Sequence, residues 1–176
     1  VRLQSYRPLE LVVCDDCRTD DVRKIVEQFA REVDFPVRYQ HNETRLNEMR
    51  NLARCIELAQ GDYIKPLYDD DLMQPECVGS LLALMQSNPD VSLASSRRRR
   101  IDPEGQPLPD ILATAYPFAG DALVDGEQLV SLLAEHTLNF IGEPSTVMCR
   151  RADLLPMGDQ LSVLNGKRIP WVGDLA

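Results

Sequence analysis

Two places in this 176-residue chain mass carboxylates at the end of an apolar run. Asp15-Asp16 follow Leu9-Glu10-Leu11-Val12-Val13-Cys14, and Asp69-Asp70-Asp71 follow Tyr63-Ile64-Lys65-Pro66-Leu67-Tyr68. Carboxylates packed this closely repel one another unless a cation or hydrogen-bond donors stand among them. A hard divalent ion, Mg²⁺ or Mn²⁺, held by one or two carboxylates together with a substrate's phosphate oxygens, resolves that repulsion. An acidic triplet also suits a solvated loop ahead of a helix, here one beginning near Glu76, and the triplet alone does not separate the two readings.

The surrounding elements indicate how these acids are positioned. A short β-prone run, Leu9 to Cys14, delivers Asp15-Asp16 to a loop. Val22, Ile25, Val26 and Phe29 then fall at i, i+3, i+4 and i+7, the stripe of a helix that Thr19 or Asp20 caps. Val37 to Gln40 is a second strand, and a helix runs from about Asn47 to Ala59 with Gly61 as its C-terminal cap. Asp62 to Tyr68 reads as a third strand, loosened at its far end by Pro66. Val78, Leu81, Leu82 and Met85 repeat the helical stripe, and Val91 to Ala94 is a further strand.

This alternation predicts an α/β domain with a mostly parallel central sheet flanked by helices. Ligands of such sheets bind beyond the carboxyl ends of the strands, where both acidic clusters lie. Downstream come a turn at Asp102-Pro103-Glu104-Gly105, a Pro-rich stretch, a helix around Glu127 to Glu135 and a strand over Ser145 to Cys149. The last twenty residues read as loop-like until Trp171.

In this order and spacing the pieces resemble the family 2 glycosyltransferases, whose nucleotide-binding fold is called GT-A. The likeness is fullest from Leu3 to Asp110. Leu9 to Asp20 looks like the family's strand followed by Asp-Asp-Gly-Ser-Thr-Asp, in which an acidic residue contacts the nucleotide base. The resemblance gives that role to Asp16 with Asp15 beside it. Asn42 through Asn51 is similar to a segment ending in Ala-Arg-Asn, which makes Arg50 the candidate diphosphate contact. Gly61-Asp62-Tyr63-Ile64 through Pro75-Glu76 looks like the block holding the family's Asp-X-Asp motif, here Asp69-Asp70-Asp71. It implies that Asp69 and Asp71 hold the metal and that Asp70 lies with them at the donor.

Gly142 to Met148 resembles the family's acceptor-side strand, and Trp171 to Leu175 the segment with its catalytic base, which makes Asp174 the expected base. A helix-capping role fits Asp174 as well. The resemblance implies inverting transfer from a UDP-sugar or another NDP-sugar to a carbohydrate, lipid-linked or protein acceptor. A non-catalytic, transferase-like module of a larger protein is the alternative. Cys17-Arg18 stand where the family has Gly-Ser, and the Asn42 segment lacks its usual Gly. The family's first strand, rich in Val and Ile, has no counterpart ahead of Leu3, so the chain reads as a piece of a longer protein.

Composition narrows the classes. At 19.9 kDa the chain is expected to form one domain over 1–176, with a nucleotide-sugar part at 1–110 and an incomplete acceptor part at 111–176. A formal charge of −9 argues against nucleic acid as a partner. No apolar run approaches a membrane span. Five scattered cysteines suggest a reducing, cytoplasmic location rather than a disulfide framework. Cys14 and Cys17 have the spacing of a zinc half-site but no second pair, His41 and His136 sit in no ligand motif, and Arg97 to Arg100 suit either a solvated edge or an anionic acceptor or surface.

Overall fold

A computed structural model describes residues 1–136, 139–164 and 167–168. Strand β1 (Leu11–Asp15) leads through helix α1 (Asp21–Glu32) to β2 (Val37–His41), which pairs with β1 in parallel from Leu11 opposite Val37 to Asp15 opposite His41. Of the predicted α1 stripe only Val26 is buried, and Ile25 stays 67% exposed, so this helix covers the sheet along a narrow line. Asp20 is the N-cap by position but makes no side-chain cap bond, and Thr19 instead donates its hydroxyl to Asp21.

Helix α2 (Glu48–Leu58) ends at Ala59, which turns extended, and not through a left-handed Gly61 as expected. The stop is supplied by the residue just before β1. The Glu10 carboxylate accepts from the Gln60 and Gly61 amides at 2.6 and 2.8 Å and from Arg38 Nε at 3.0 Å. Burial pushes the Glu10 pKa up, but these donors outweigh it and hold the carboxyl below its usual range. One acid thus joins β1, β2 and the turn before β3.

Strand β3 is short, Tyr63–Ile64 alone, because Pro66 has no N–H to continue a ladder. Helix α3 (Cys77–Ser87), strand β4 (Leu93–Ser95) and helix α4 (Gly126–His136) follow, then β5 (Val147–Arg150) and the short helix α5 (Arg151–Leu154). β5 lies between β3 and β4 and runs antiparallel to both, so β3 and β4 point the same way. The α/β class holds, with the parallel crossover at β1–β2 and β5 as the antiparallel member. The segment expected to be loop-like instead forms a 3₁₀ turn at Gly158–Ser162 and a small hairpin, β6 (Val163–Leu164) and β7 (Lys167–Arg168).

The core gathers Leu81, Leu82 and Met85 of α3, Ala94 of β4 and Met148 of β5, and Met85 is fully enclosed. The amino-terminal stretch is stitched to α3. Gln4, 4% exposed, donates to Gln74 O at 2.7 Å and accepts from Val78 N at 3.0 Å.

β1 and β3 are not hydrogen-bonded to each other. Leu11 N donates to Pro36 O and Asp15 O accepts from Asn42 N, so in this parallel ladder residues 11, 13 and 15 face β2. Val12 and Cys14 therefore turn their backbone groups away from β2. A cavity of ≈ 1140 Å³ opens there, lined by β1 and by the stretch from Gly61 to Asp71.

Candidate functional site

The carboxyl end of β1 and the turn after β3 line this one cavity, which brings Asp15, Asp16, Asp69, Asp70 and Asp71 together as the sequence suggested. Glu48 and Asn51 of α2 also stand in the wall. The two acidic clusters differ in character. Asp15 is 3% exposed and its carboxylate accepts from the Cys17 amide at 2.8 Å and the Tyr39 hydroxyl at 2.6 Å. Asp16 is half-buried and accepts from Asn42 Nδ2 at 2.7 Å and from the Leu46 and Asn47 amides at 3.0 and 2.9 Å.

Asp16 therefore clamps the loop that enters α2, at a place where Asn47 adopts φ 65°. Few side chains other than Gly and Asn tolerate that region, and a carboxylate on the local amides stabilises it. Asn42 Nδ2 also donates to Asn51 Oδ1 at 2.7 Å, and Asn51 Nδ2 donates to Cys14 O at 2.9 Å. The floor of the cavity at β1 is thus a connected polar network.

Asp69, Asp70 and Asp71 are exposed. Their turn is held by neighbours: the Asp71 amide donates to Tyr68 O at 3.3 Å, the Tyr68 hydroxyl to Glu48 at 2.6 Å, and the Tyr68 amide to Ser145 Oγ at 2.9 Å. Behind the turn, Lys65 Nζ donates to Pro66 O at 2.8 Å and to Ser145 O. Burial pushes the Lys65 pKa down, and the negative potential of Cys77 and Asp71 only partly offsets it.

Among the described residues no group of three His, Cys, Asp or Glu side chains converges on a metal position. The donor set does not suit a resident ion caged by protein. The exposed carboxylates at 69–71 do fit an ion that arrives with phosphate oxygens, since Mg²⁺ keeps much of its water and takes one or two carboxylates. Arg50 sits in the first turn of α2, exposed and outside the cavity wall. Asp174, with Trp171, lies outside the described residues.

Cys14 and Cys17 do not form a paired site. Cys14 is buried and hydrogen-bonds through its thiol to Cys55 of α2, which with burial raises its pKa, whereas Cys17 is exposed and pairs with Asp15. Sequence reasoning passed over Tyr39, Glu48, Lys65 and Ser145. Their partners lie 20 to 80 positions away, and no local spacing signals them.

Asp15 gives the site an acid-sensitive anchor. Burial raises its pKa, but the Tyr39 and Cys17 donors outweigh that and depress it. A depressed carboxyl stabilises the fold fully above its unfolded value, about pH 4, and loses that contribution as pH falls through the folded value. Asp15→Asn is expected to lower stability at pH 7 by about 1–3 kcal/mol, with the difference from wild type shrinking below about pH 4. Urea unfolding across pH 3–7 reads this out, and a constant difference over that range counts against the anchor.

The profile of the family described as glycosyl transferase family 2 matches residues 1–141. The chain is 30% identical over 125 residues to the putative glycosyltransferase EpsE of Bacillus subtilis, covering 65% of this chain and 45% of that protein. It is 34% identical over 136 residues to the chondroitin synthase of Escherichia coli, covering 76% and 18%. It is 24% identical over 94 residues to the abequosyltransferase RfbV of Salmonella typhimurium, covering 53% and 28%. The chain spans less than half the length of each of these relatives. Among the described residues no helix is long and apolar enough to cross a membrane. A profile match over most of its length, on an α/β fold with acidic strand ends meeting at one cavity, shows that this chain belongs to glycosyl transferase family 2.

Proposed function

We propose that this chain carries the donor site of an inverting glycosyltransferase that takes a sugar from a nucleoside diphosphate. The observation that carries the reading is the shared cavity: the end of β1 and the Asp69–Asp71 turn, distant in sequence, line the same space. In this reading Asp16 meets the nucleobase. Asp15 is too enclosed for that contact and serves to hold Asp16 in place.

Asp69 and Asp71 hold Mg²⁺ or Mn²⁺, with Asp70 beside them at the donor. The bound ion would neutralise charge growing on the leaving diphosphate. Arg50, outside the wall, supplies a long cationic arm toward the same phosphates. The acceptor's hydroxyl oxygen forms a bond to the anomeric carbon from the face opposite the diphosphate. The bond from that carbon to the diphosphate oxygen breaks with its electron pair, and the hydroxyl proton passes to Asp174 as general base.

Calorimetric titration with UDP and with GDP, each with and without Mn²⁺, tests the donor site. One nucleotide is expected to bind with a Kd below about 1 mM, and only with the metal present. Binding of neither nucleotide by the folded protein would favour a non-catalytic, transferase-like module.

A further inference from the structure

Arg97–Arg100 concentrate basic charge in a chain whose formal charge is −9. The run follows β4 and lines a second cavity of ≈ 1650 Å³. That cavity shares Asp70, Asp71 and Met73 with the first, so space continues from the carboxylate turn to the arginines. Ser145, which accepts from the Tyr68 amide, stands in its wall. We infer that the second cavity seats the acceptor, and that this acceptor is a saccharide bearing an oxyanion, a phosphate or a carboxylate, met by Arg99 and Arg100. The inference rests on the transferase reading above.

Charge accounting supports it. Adjacent guanidiniums repel, and the protein answers two of the four internally. Arg97 pairs with Asp110 at 2.5 Å, and Arg98 with Glu143 at 2.5 Å. Arg98 also donates to Asn139 O at 3.1 Å, and its side chain is only 16% exposed, which marks it as a strut of the wall. Arg99 and Arg100 are exposed, and neither has an ion pair among the described residues. Arg100 makes a 3.5 Å contact with Pro109 O.

Of the acids lining the same cavity, Glu143 is taken by Arg98 and Asp70 and Asp71 belong to the donor turn, leaving Glu76 and Asp121. A guanidinium fork matches the paired oxygens of a phosphate or carboxylate better than it matches neutral hydroxyls. The volume exceeds the ~300–1,000 Å³ of ordinary small-molecule pockets, which leaves room for more than one sugar ring. Tyr116 and Phe118, edge to face at 5.5 Å, supply an apolar surface in the same wall for a ring's C–H face.

The test titrates the protein, with and without nucleotide and Mn²⁺, against a glucuronate-containing tetrasaccharide, a neutral tetrasaccharide and glucose 1-phosphate. The same set is run on Arg99→Ala/Arg100→Ala, and vesicles of phosphatidylglycerol and of phosphatidylcholine form a further arm. A charged saccharide is expected to bind at least about 10-fold tighter than the neutral one, and the double variant to close that margin while keeping nucleotide binding. The uronate and phosphate arms identify which oxyanion is read. Equal binding of charged and neutral saccharides, no saccharide binding, an undiminished margin in the double variant, or binding confined to anionic vesicles each overturns the inference. Loss of nucleotide binding in the wild type strikes the transferase reading instead, because the saccharide preference is scored without nucleotide as well.

Discussion

Asp71→Ala is expected to abolish metal-dependent nucleotide binding and to slow sugar transfer by about 1,000-fold or more, while leaving the thermal midpoint within about 2 °C of wild type. The expected size follows from the electrostatics of transfer: fixed charge and a bound cation opposite a departing diphosphate contribute several kcal/mol that water does not replace. The small effect on stability follows from geometry. Asp71 is exposed, and its structural role runs through its backbone amide to Tyr68 O, which alanine keeps. Asp71→Asn should behave almost as badly, since an amide retains the shape but not the charge. The two readouts are calorimetric titration with Mn²⁺ and initial-rate release of nucleoside diphosphate. Unaltered metal-dependent binding in Asp71→Ala would remove this residue from the metal site.

Met85→Ala should produce the largest loss of stability among single substitutions, about 2–5 kcal/mol. Met85 is fully enclosed and meets Leu81 and Leu82 on its own helix and Ala94 and Met148 on the strands beneath. Truncation removes the transfer free energy of the side chain and leaves a cavity that the two-residue contact of β3 and the short β4 cannot readily close. For a chain of this length that corresponds to a fall in Tm of roughly 5–15 °C. Met85→Leu, which conserves volume, should cost less than about 1.5 kcal/mol. A Met85→Ala midpoint within about 2 °C of wild type would show that α3 does not anchor the core.

The parts that sequence revealed are those encoded locally. The apolar run into Asp15-Asp16 forms β1, the stripe from Val78 to Met85 forms α3, and Asp102 to Gly105 forms its turn, with Gly105 at φ 80° and its amide on Asp102 O. The acids that follow β1 and β3 line one cavity, as their position beyond the strands implied. What escaped depends on partners remote in sequence. Gly61 looked like a helix stop, yet Glu10, fifty positions earlier, terminates α2. Arg50 is exposed and outside the cavity wall while its neighbour Asn51 lines it, a distinction set by the helical turn and not by the motif-like spacing. Lys65 and Tyr68 find Ser145 only because β5 returns beside β3, a pairing that no period in the sequence announces.

The place of β5 also bears on how the chain matures during synthesis. β3 and β4 are finished before residue 96, but the strand that unites them spans Val147–Arg150, and Met148 fills the core between them. A nascent chain made as far as residue 110 holds every acidic group that lines the first cavity yet lacks the middle of its second sheet. It must wait, with Met148 missing from the core beside α3, for some forty further residues to leave the ribosome, an interval of several seconds at ~5–20 residues per second. A boundary drawn near residue 110 for expression would therefore part β5 from the two strands it joins, and the shorter piece is expected to unfold more readily than the chain that includes Val147–Arg150.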